Sequence, residues 1–122
     1  MGRKGRRLRK AQRAAHTNKH HLIFQRCHFS DGYGYLLRQN FVFELDVDIH
    51  NYLHQHIIHD IPKPPEYQLK QAWDSYQANK WLIDQYDIVQ ACEWLANACS
   101  DPAWRACMTR QLIYLKDVLK AY

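Results

Sequence analysis

The chain has 122 residues, of which 47% are hydrophobic and 13% aromatic, which is enough for one compact domain with its own core and too little for two. No apolar stretch approaches the ~20 residues that cross a bilayer, and the N-terminus lacks the apolar centre of a signal peptide. These features argue against a membrane-spanning or secreted protein, so we expect a soluble cytoplasmic protein with no membrane partner.

Charge is divided unevenly along the chain. Residues 1–19 contain 8 of the 17 Lys and Arg residues and no acidic residue, whereas residues 20–122 contain 9 basic and 12 acidic residues. A basic segment of this kind can contact nucleic-acid phosphates, and in isolation its like charges oppose folding. We therefore interpret it either as a DNA-contacting arm or as a solubilising tail. The candidate phosphate contacts are Arg3, Lys4, Arg6, Arg7, Arg9, Lys10 and Arg13.

Two strands and a helix are predicted after this segment. Residues 21–27 are apolar enough for a strand, FSDGYGYL has the composition of a turn, and QNFVFELD has the β-branched and aromatic residues of a second strand. Asp46 or Asp48 can cap a helix that runs to about His59, where the prolines of DIPKPP end it. The predicted order is strand, turn, strand and helix.

Helical periodicity continues to the end of the chain. EYQLKQAWDSYQANKWL and DIVQACEWLANAC each carry an apolar stripe, and SDPAWRACMTRQLIYLKDVLKAY begins with a capping residue and a proline at the first helical position. Such stripes are typical of core packing. The cysteines form no C-x-x-C pair, so they predict buried thiols instead of a zinc ribbon or a redox motif. They are Cys27, Cys92, Cys99 and Cys107.

Four histidines are candidates for a single site. His50 and His54 are four residues apart on the predicted helix, so they project from one face with a spacing that suits two ligands of one zinc ion. His20 and His21 stand at the mouth of the first strand and alternate to opposite faces. One of them can then bind a metal while the other acts as a general base, as metal-assisted phosphodiester hydrolysis requires. The alternative interpretation is a set of unrelated surface histidines.

The segment that holds these histidines resembles the HNH endonuclease family, whose ββα-metal motif has histidines at the first strand, an asparagine near the second and a histidine-bearing helix. KHHLI, DGYG, QNFVFEL and HNYLH follow that order. The resemblance implies that His20, His50 and His54 bind the metal. It further implies that His21 is the general base and that Asn40 braces the loop and orients this base. The implied metal is zinc, or another divalent ion such as magnesium or manganese for catalysis.

The expected fold class is therefore α+β. A basic arm in residues 1–19 precedes a ββα-metal unit in residues 20–61, and a mostly helical region in residues 62–122 packs with that unit as one domain. The resemblance covers about residues 18–59 and implies a small nuclease or nickase of the phage or mobile-element kind that hydrolyses DNA phosphodiester bonds.

The acidic balance of residues 20–122 keeps a second hypothesis open. Duplex DNA is a polyanion, and a domain that binds it usually carries a basic face. An acidic, aromatic-rich body also suits a catalytically silent, zinc-stabilised phage protein that binds and inhibits a host nucleic-acid-binding defence protein, of the anti-CRISPR type. We favour the nuclease because a purely structural zinc site needs neither His21 nor Asn40.

Overall fold

The computed structural model describes residues 16–24, 28–57 and 61–120. The elements in chain order are β1 (Thr17–His21), α1 (Gly32–Asn40), β2 (Val42–Asp46), α2 (Val47–Tyr52), α3 (Glu66–Ala78), α4 (Lys80–Ile83), α5 (Ile88–Ala98) and α6 (Pro102–Lys120). A π-helical turn, Leu53–Ile57, continues α2. The two strands and the mostly helical remainder confirm the α+β class.

The first strand lies earlier in the chain than predicted. β1 pairs antiparallel with β2, with His20 opposite Phe43, and it includes residues 17–19, which the sequence assigned to the basic arm. The prediction of a strand over residues 21–27 is wrong for Leu22, Ile23 and Phe24, which follow β1 and are all buried, and residues 25–27 lie outside the described residues. Three consecutive buried side chains lack the alternation of a strand with one solvent-facing side.

The connection between the strands contains a helix where a turn was predicted. α1 begins within FSDGYGYL, and the order becomes strand, helix, strand and helix. A Cβ atom at Gly34 would lie 2.7 Å from Cδ1 of Phe29, so this glycine allows α1 to pack closely on a buried ring. Glu66 Oε2 accepts a hydrogen bond of 3.2 Å from the Tyr33 amide. Tertiary packing therefore outweighs the turn propensity of the sequence.

The helix that follows β2 begins as predicted. Asp46 is its N-cap, and Oδ1 of Asp46 accepts a hydrogen bond of 2.9 Å from the Asp48 amide. β2 ends at Asp46 and α2 starts at the next residue, so no loop separates them. Ile49 and Leu53 are buried and anchor the helix on the core. The predicted end near residue 59 lies outside the described residues.

The helical stripes of the C-terminal region are confirmed as core. Residues from α3, α5 and α6 join those of the first half of the chain in one hydrophobic cluster. Trp104 Nε1 donates a hydrogen bond of 2.8 Å to the carbonyl of Leu95, which fastens α6 to α5.

Cys92 and Cys99 are buried free thiols, and burial raises the pKa of Cys92 to about 12. No helix among the described residues is both long and apolar enough to span a membrane.

We expect Gly34→Val to destabilise the fold by about 1–3 kcal/mol, because the added side chain must displace the buried Phe29 ring. Urea denaturation measures the change. Gln39→Val, at an exposed position of the same helix, is the control for the cost of a β-branched residue, at most about 0.7 kcal/mol. Equal effects at the two positions would mean that the Phe29 contact contributes nothing.

Candidate metal centre

Three imidazole rings from separate elements converge at one place. His20 lies on β1, His50 on α2 and His54 in the π-helical turn, and the candidate ligand atoms of the three residues lie within 4.8 Å of one another. The ring centroids of His50 and His54 are 4.5 Å apart, and that of His20 is 5.2 Å from His50 and 5.9 Å from His54. The three predicted ligands are thus brought together as a cluster that can hold a metal ion.

Local structure explains this convergence. His20 is the penultimate residue of β1, and β2 ends at Asp46, opposite Thr17 at the other end of β1. α2 follows β2 without a loop and packs against both strands. His50 and His54 then follow four residues apart, the second of them in the turn where the helix changes from α to π geometry. Single π-helical turns inside helices are found often at functional sites.

His20 is the deepest of the three ligands and has one nitrogen without a partner. Its side chain is fully buried, and Nε2 lies 2.6 Å from Oε1 of Gln111. Nδ1 is also buried, and no described residue makes a hydrogen bond to it. A buried polar atom without a partner costs about 1–3 kcal/mol. A metal ion bound by Nδ1 would remove this cost, so the donor set fits a metal.

His50 and His54 already stand near ligand spacing. Their Nε2 atoms are 3.0 Å apart, and two nitrogens bound at ~2.0–2.1 Å to one tetrahedral zinc ion are separated by about 3.3 Å. Nδ1 of His50 lies 3.2 Å from Nδ2 of Asn18, which is on β1 with His20. The candidate ligand atoms of the whole cluster lie up to 4.8 Å apart, so these atoms must move slightly closer together to bind one ion.

All three imidazoles favour the neutral form that a metal ligand needs. Burial lowers the pKa of His20 to about 4, against the opposing hydrogen bond from Gln111, and the neighbouring histidines lower it further. Burial also lowers the pKa of His50 and of His54, and the charge of His54 adds to the effect at His50. At neutral pH each ring therefore keeps a lone pair that can bind a cation.

His21 lies beside the cluster but is not one of its members. A positive charge on His21 lowers the pKa of His20 and of His50 by repulsion, so the ring is near both. It is half-buried and borders a cavity of about 400 Å³. The other residues that line this cavity are Phe29, Ser30, Tyr35, Arg38 and Gln39. His20 and His21 are adjacent on β1 but lie in different environments, His20 in the buried cluster and His21 at the cavity.

Asn40 has a less direct relation to His21 than the resemblance implies. Its Nδ2 donates a hydrogen bond of 2.8 Å to the carbonyl of Leu36. Its Oδ1 lies 3.4 Å from the hydroxyl of Tyr76, whose single proton is directed to Oδ1 of Asp84 at 2.6 Å. The first bond stabilises the C-terminal end of α1, and the second contact brings that end against α3. Asn40 therefore stabilises the helix that connects the two strands. Among the described residues its side chain makes no hydrogen bond to His21.

Sequence reasoning missed Gln111, which contacts His20 from a position 91 residues away along the chain. A signal for it was present. Gln111 lies three residues after Met108 and one before Leu112, so it occupies the apolar face of α6. A polar side chain on a core-facing stripe needs a buried hydrogen-bond partner.

Several sequence predictions fall on residues that the structure does not describe. The basic residues assigned to phosphate contacts, in residues 3–13, lie there, as do Cys27 and His59. The DNA-contacting role of the arm therefore stays a prediction. His28 is exposed and is not a member of the cluster.

No protein-family model matches the chain, and no curated protein or solved structure matches it either. The case for a metal site consequently depends on the geometry of the three histidines, and the likeness to HNH endonucleases depends on four short motifs.

We expect the protein to bind one zinc ion, with a rise of about 2.7 kcal/mol in the free energy of unfolding at a free zinc concentration 100 times the Kd. His50→Ala should weaken zinc binding by more than about 100-fold, because outer-shell partners alone contribute ~10–100-fold. Competition with a chromogenic chelator measures the affinity. His28→Ala, an exposed histidine outside the cluster, is the matched control. Equal affinities for the two variants would contradict the site.

Proposed function

We propose that the protein is a metal-dependent hydrolase of DNA phosphodiester bonds, a small nuclease or nickase of the HNH type. The observation that carries the proposal is the pairing of a cluster of three histidines with a fourth, His21, on the adjacent strand residue and at the edge of a cavity. A metal site that served only to stabilise the fold would have no need of this neighbour.

The number of ligands supports a catalytic site. Structural zinc sites are closed by four protein ligands, whereas catalytic sites use three and leave a position for water or substrate. Among the described residues no fourth histidine, cysteine or carboxylate joins His20, His50 and His54. Three neutral nitrogens suit zinc better than magnesium, which prefers oxygen ligands. When bound, such an ion would stabilise the negative charge that develops on the phosphate.

His21 is assigned the role of general base. In its neutral form the ring can accept a proton from the attacking water, a step worth about 10²- to 10⁴-fold in rate. Its half-buried position at the cavity gives it access to a substrate from that side, while the backbone of β1 fixes its distance from His20.

Arg38 supports a phosphate-bearing substrate. Its side chain lines the same cavity as His21, and a guanidinium group is suited to hold phosphate oxygens through paired hydrogen bonds. Ser30 and Gln39 add polar groups, and the ring of Tyr35 adds an aromatic surface. The cavity therefore combines a base with a phosphate-binding cation, as cleavage of a phosphodiester requires.

The basic arm supplies the attraction for DNA that the body lacks. Residues 20–122 have more acidic than basic side chains, and residues 1–19 have only basic ones. In this proposal the arm contacts backbone phosphates without regard to sequence, and the cavity receives one phosphodiester.

A second candidate function is a zinc-stabilised inhibitor that binds a host defence protein. It is favoured by large aromatic side chains exposed on the helical region, since Trp81 is 72% exposed and Tyr67 64%. Exposed aromatic residues of this size often anchor protein interfaces. In this case the metal would contribute folding energy and no chemistry.

We expect the wild type to nick supercoiled plasmid in the presence of zinc, manganese or magnesium, and His21→Ala to be slower by about 10²- to 10⁴-fold. His21→Ala should still bind zinc, because its ring is not one of the clustered ligands. A gel assay of nicked product beside a zinc titration separates the two effects, with His28→Ala as the control.

Two results would decide against the nuclease. No nicking by the wild type under any of the three metals, together with loss of zinc and of fold in His20→Ala, would replace it with the inhibitor. Full activity in His21→Ala would show that His21 is not the general base.

We expect deletion of residues 1–13, which contain seven basic side chains, to weaken DNA binding to the same extent for unrelated sequences. It should also flatten the dependence of binding on salt, because each lost phosphate contact reduces the slope by about 0.9. Fluorescence anisotropy at several salt concentrations measures both. Unchanged slopes would mean that the arm serves solubility or a protein partner.

A further inference from the structure

We infer that Gln111, on α6, selects Nδ1 as the metal-binding atom of His20 and is therefore a positioning residue of the site. The inference rests on the metal centre proposed above and concerns the side chain that orients its deepest ligand.

The orientation of the Gln111 amide is fixed by a second partner. Its Nε2 donates a hydrogen bond of 3.1 Å to the backbone carbonyl of Leu22, and it lies 3.7 Å from Sδ of Met108. A carbonyl oxygen can only accept, so the NH₂ end of the amide must face Leu22. Rotating the amide by half a turn would place two carbonyl oxygens against each other. Because Gln111 is fully buried, water cannot compensate for that loss.

This orientation determines where His20 carries its proton. The amide oxygen Oε1 lies 2.6 Å from Nε2 of His20 and has only lone pairs to offer. Nε2 must therefore be the protonated nitrogen. A neutral imidazole carries one ring proton, so Nδ1 is left with a lone pair, and it is this atom that lacks a hydrogen-bond partner among the described residues.

Asn18 provides a contrast at the neighbouring ligand. Its Nδ2 lies 3.2 Å from Nδ1 of His50, and no second side-chain hydrogen bond of this amide is found in the described ranges. Asn18 can therefore turn its amide to accept a proton from Nδ1 when Nε2 of His50 binds a metal. Gln111 cannot turn in this way because Leu22 holds it. Of these two ligands, His20 is the one whose ligand atom is chosen in advance by the fold.

The same amide also restrains the general base. The carbonyl bound by Gln111 belongs to Leu22, and the ring it binds belongs to His20, so the two contacts flank His21. In this way α6 fixes the chain on both sides of the base. The C-terminal helix is consequently part of the site and not only part of the core.

The test begins with the tautomer of His20 in the zinc-free wild type, measured by long-range ¹H–¹⁵N NMR on the full chain. We expect the Nε2–H form, with the Nδ1 resonance shifting when zinc is added. The Nδ1–H form would overturn the inference. This measurement needs no variant and so does not depend on whether a variant folds.

Gln111→Met removes both hydrogen bonds at nearly constant volume. We expect a mixture of His20 tautomers and a loss of about 10- to 100-fold in zinc affinity. Gln68→Met is the matched control, because Gln68 is also a buried glutamine and its Oε1 accepts a hydrogen bond of 3.0 Å from the Asp101 amide. It should lower thermal stability while leaving zinc affinity unchanged, so a general loss of stability is separated from positioning.

Gln111→Glu tests rescue, since its carboxyl group still offers an acceptor to Nε2–H of His20. We expect zinc affinity within a few-fold of wild type, well above that of Gln111→Met. If the wild type binds zinc and Gln111→Met binds it equally well, the inference fails while the metal centre stands. If the wild type binds no zinc, the metal centre itself fails and the inference falls with it.

Discussion

The burial of His20 is the constraint on which the site depends. A histidine ring has two nitrogens, and a fully buried ring requires a partner for each if the cost of removing it from water is to be offset. The fold provides one partner, Oε1 of Gln111 at 2.6 Å, and directs the other nitrogen toward no described hydrogen-bonding group. A cation shared with His50 and His54 would satisfy the remaining nitrogen.

This arrangement joins the candidate metal centre directly to the hydrophobic core. Leu22, Ile49 and Met108 come from three distant segments and lie in the same buried cluster. Each is close in sequence to a residue of the site: His20, His50 and Gln111. Metal binding would therefore fasten β1, α2 and α6 together, and it would couple metal affinity to folding stability.

The sequence predicts local features of the site well. The spacing of His50 and His54, the cap at Asp46 and the stripe along α6 each depend on interactions within a few residues. It fails where distant contacts decide the structure. The glycines of α1 suggested a turn, but Gly34 instead allows close packing against Phe29, which composition does not reveal.

The strand boundary was predicted wrongly and Gln111 was missed for a related reason. Leu22 to Phe24 resemble a strand by hydrophobicity, yet they lie beyond the end of β1 and all three are buried in the core. Gln111 meets His20 only through the packing of α6 against β1, and no sequence period links positions that are 91 residues apart. Pattern arguments therefore located the three histidines that cluster but not the glutamine that contacts the most deeply buried of them.

The charge distribution then determines how the two candidate functions differ physically. In the nuclease proposal, a body with 12 acidic and 9 basic side chains would repel duplex DNA, so a phosphodiester would reach His21 only after the arm had neutralised the backbone. Arg38 at the cavity would hold one phosphate, but a single cation cannot offset that repulsion. In the inhibitor proposal no such barrier arises, since a basic nucleic-acid-binding protein would be attracted to the same body. The function of the buried cluster thus depends on whether the arm brings DNA to the cavity.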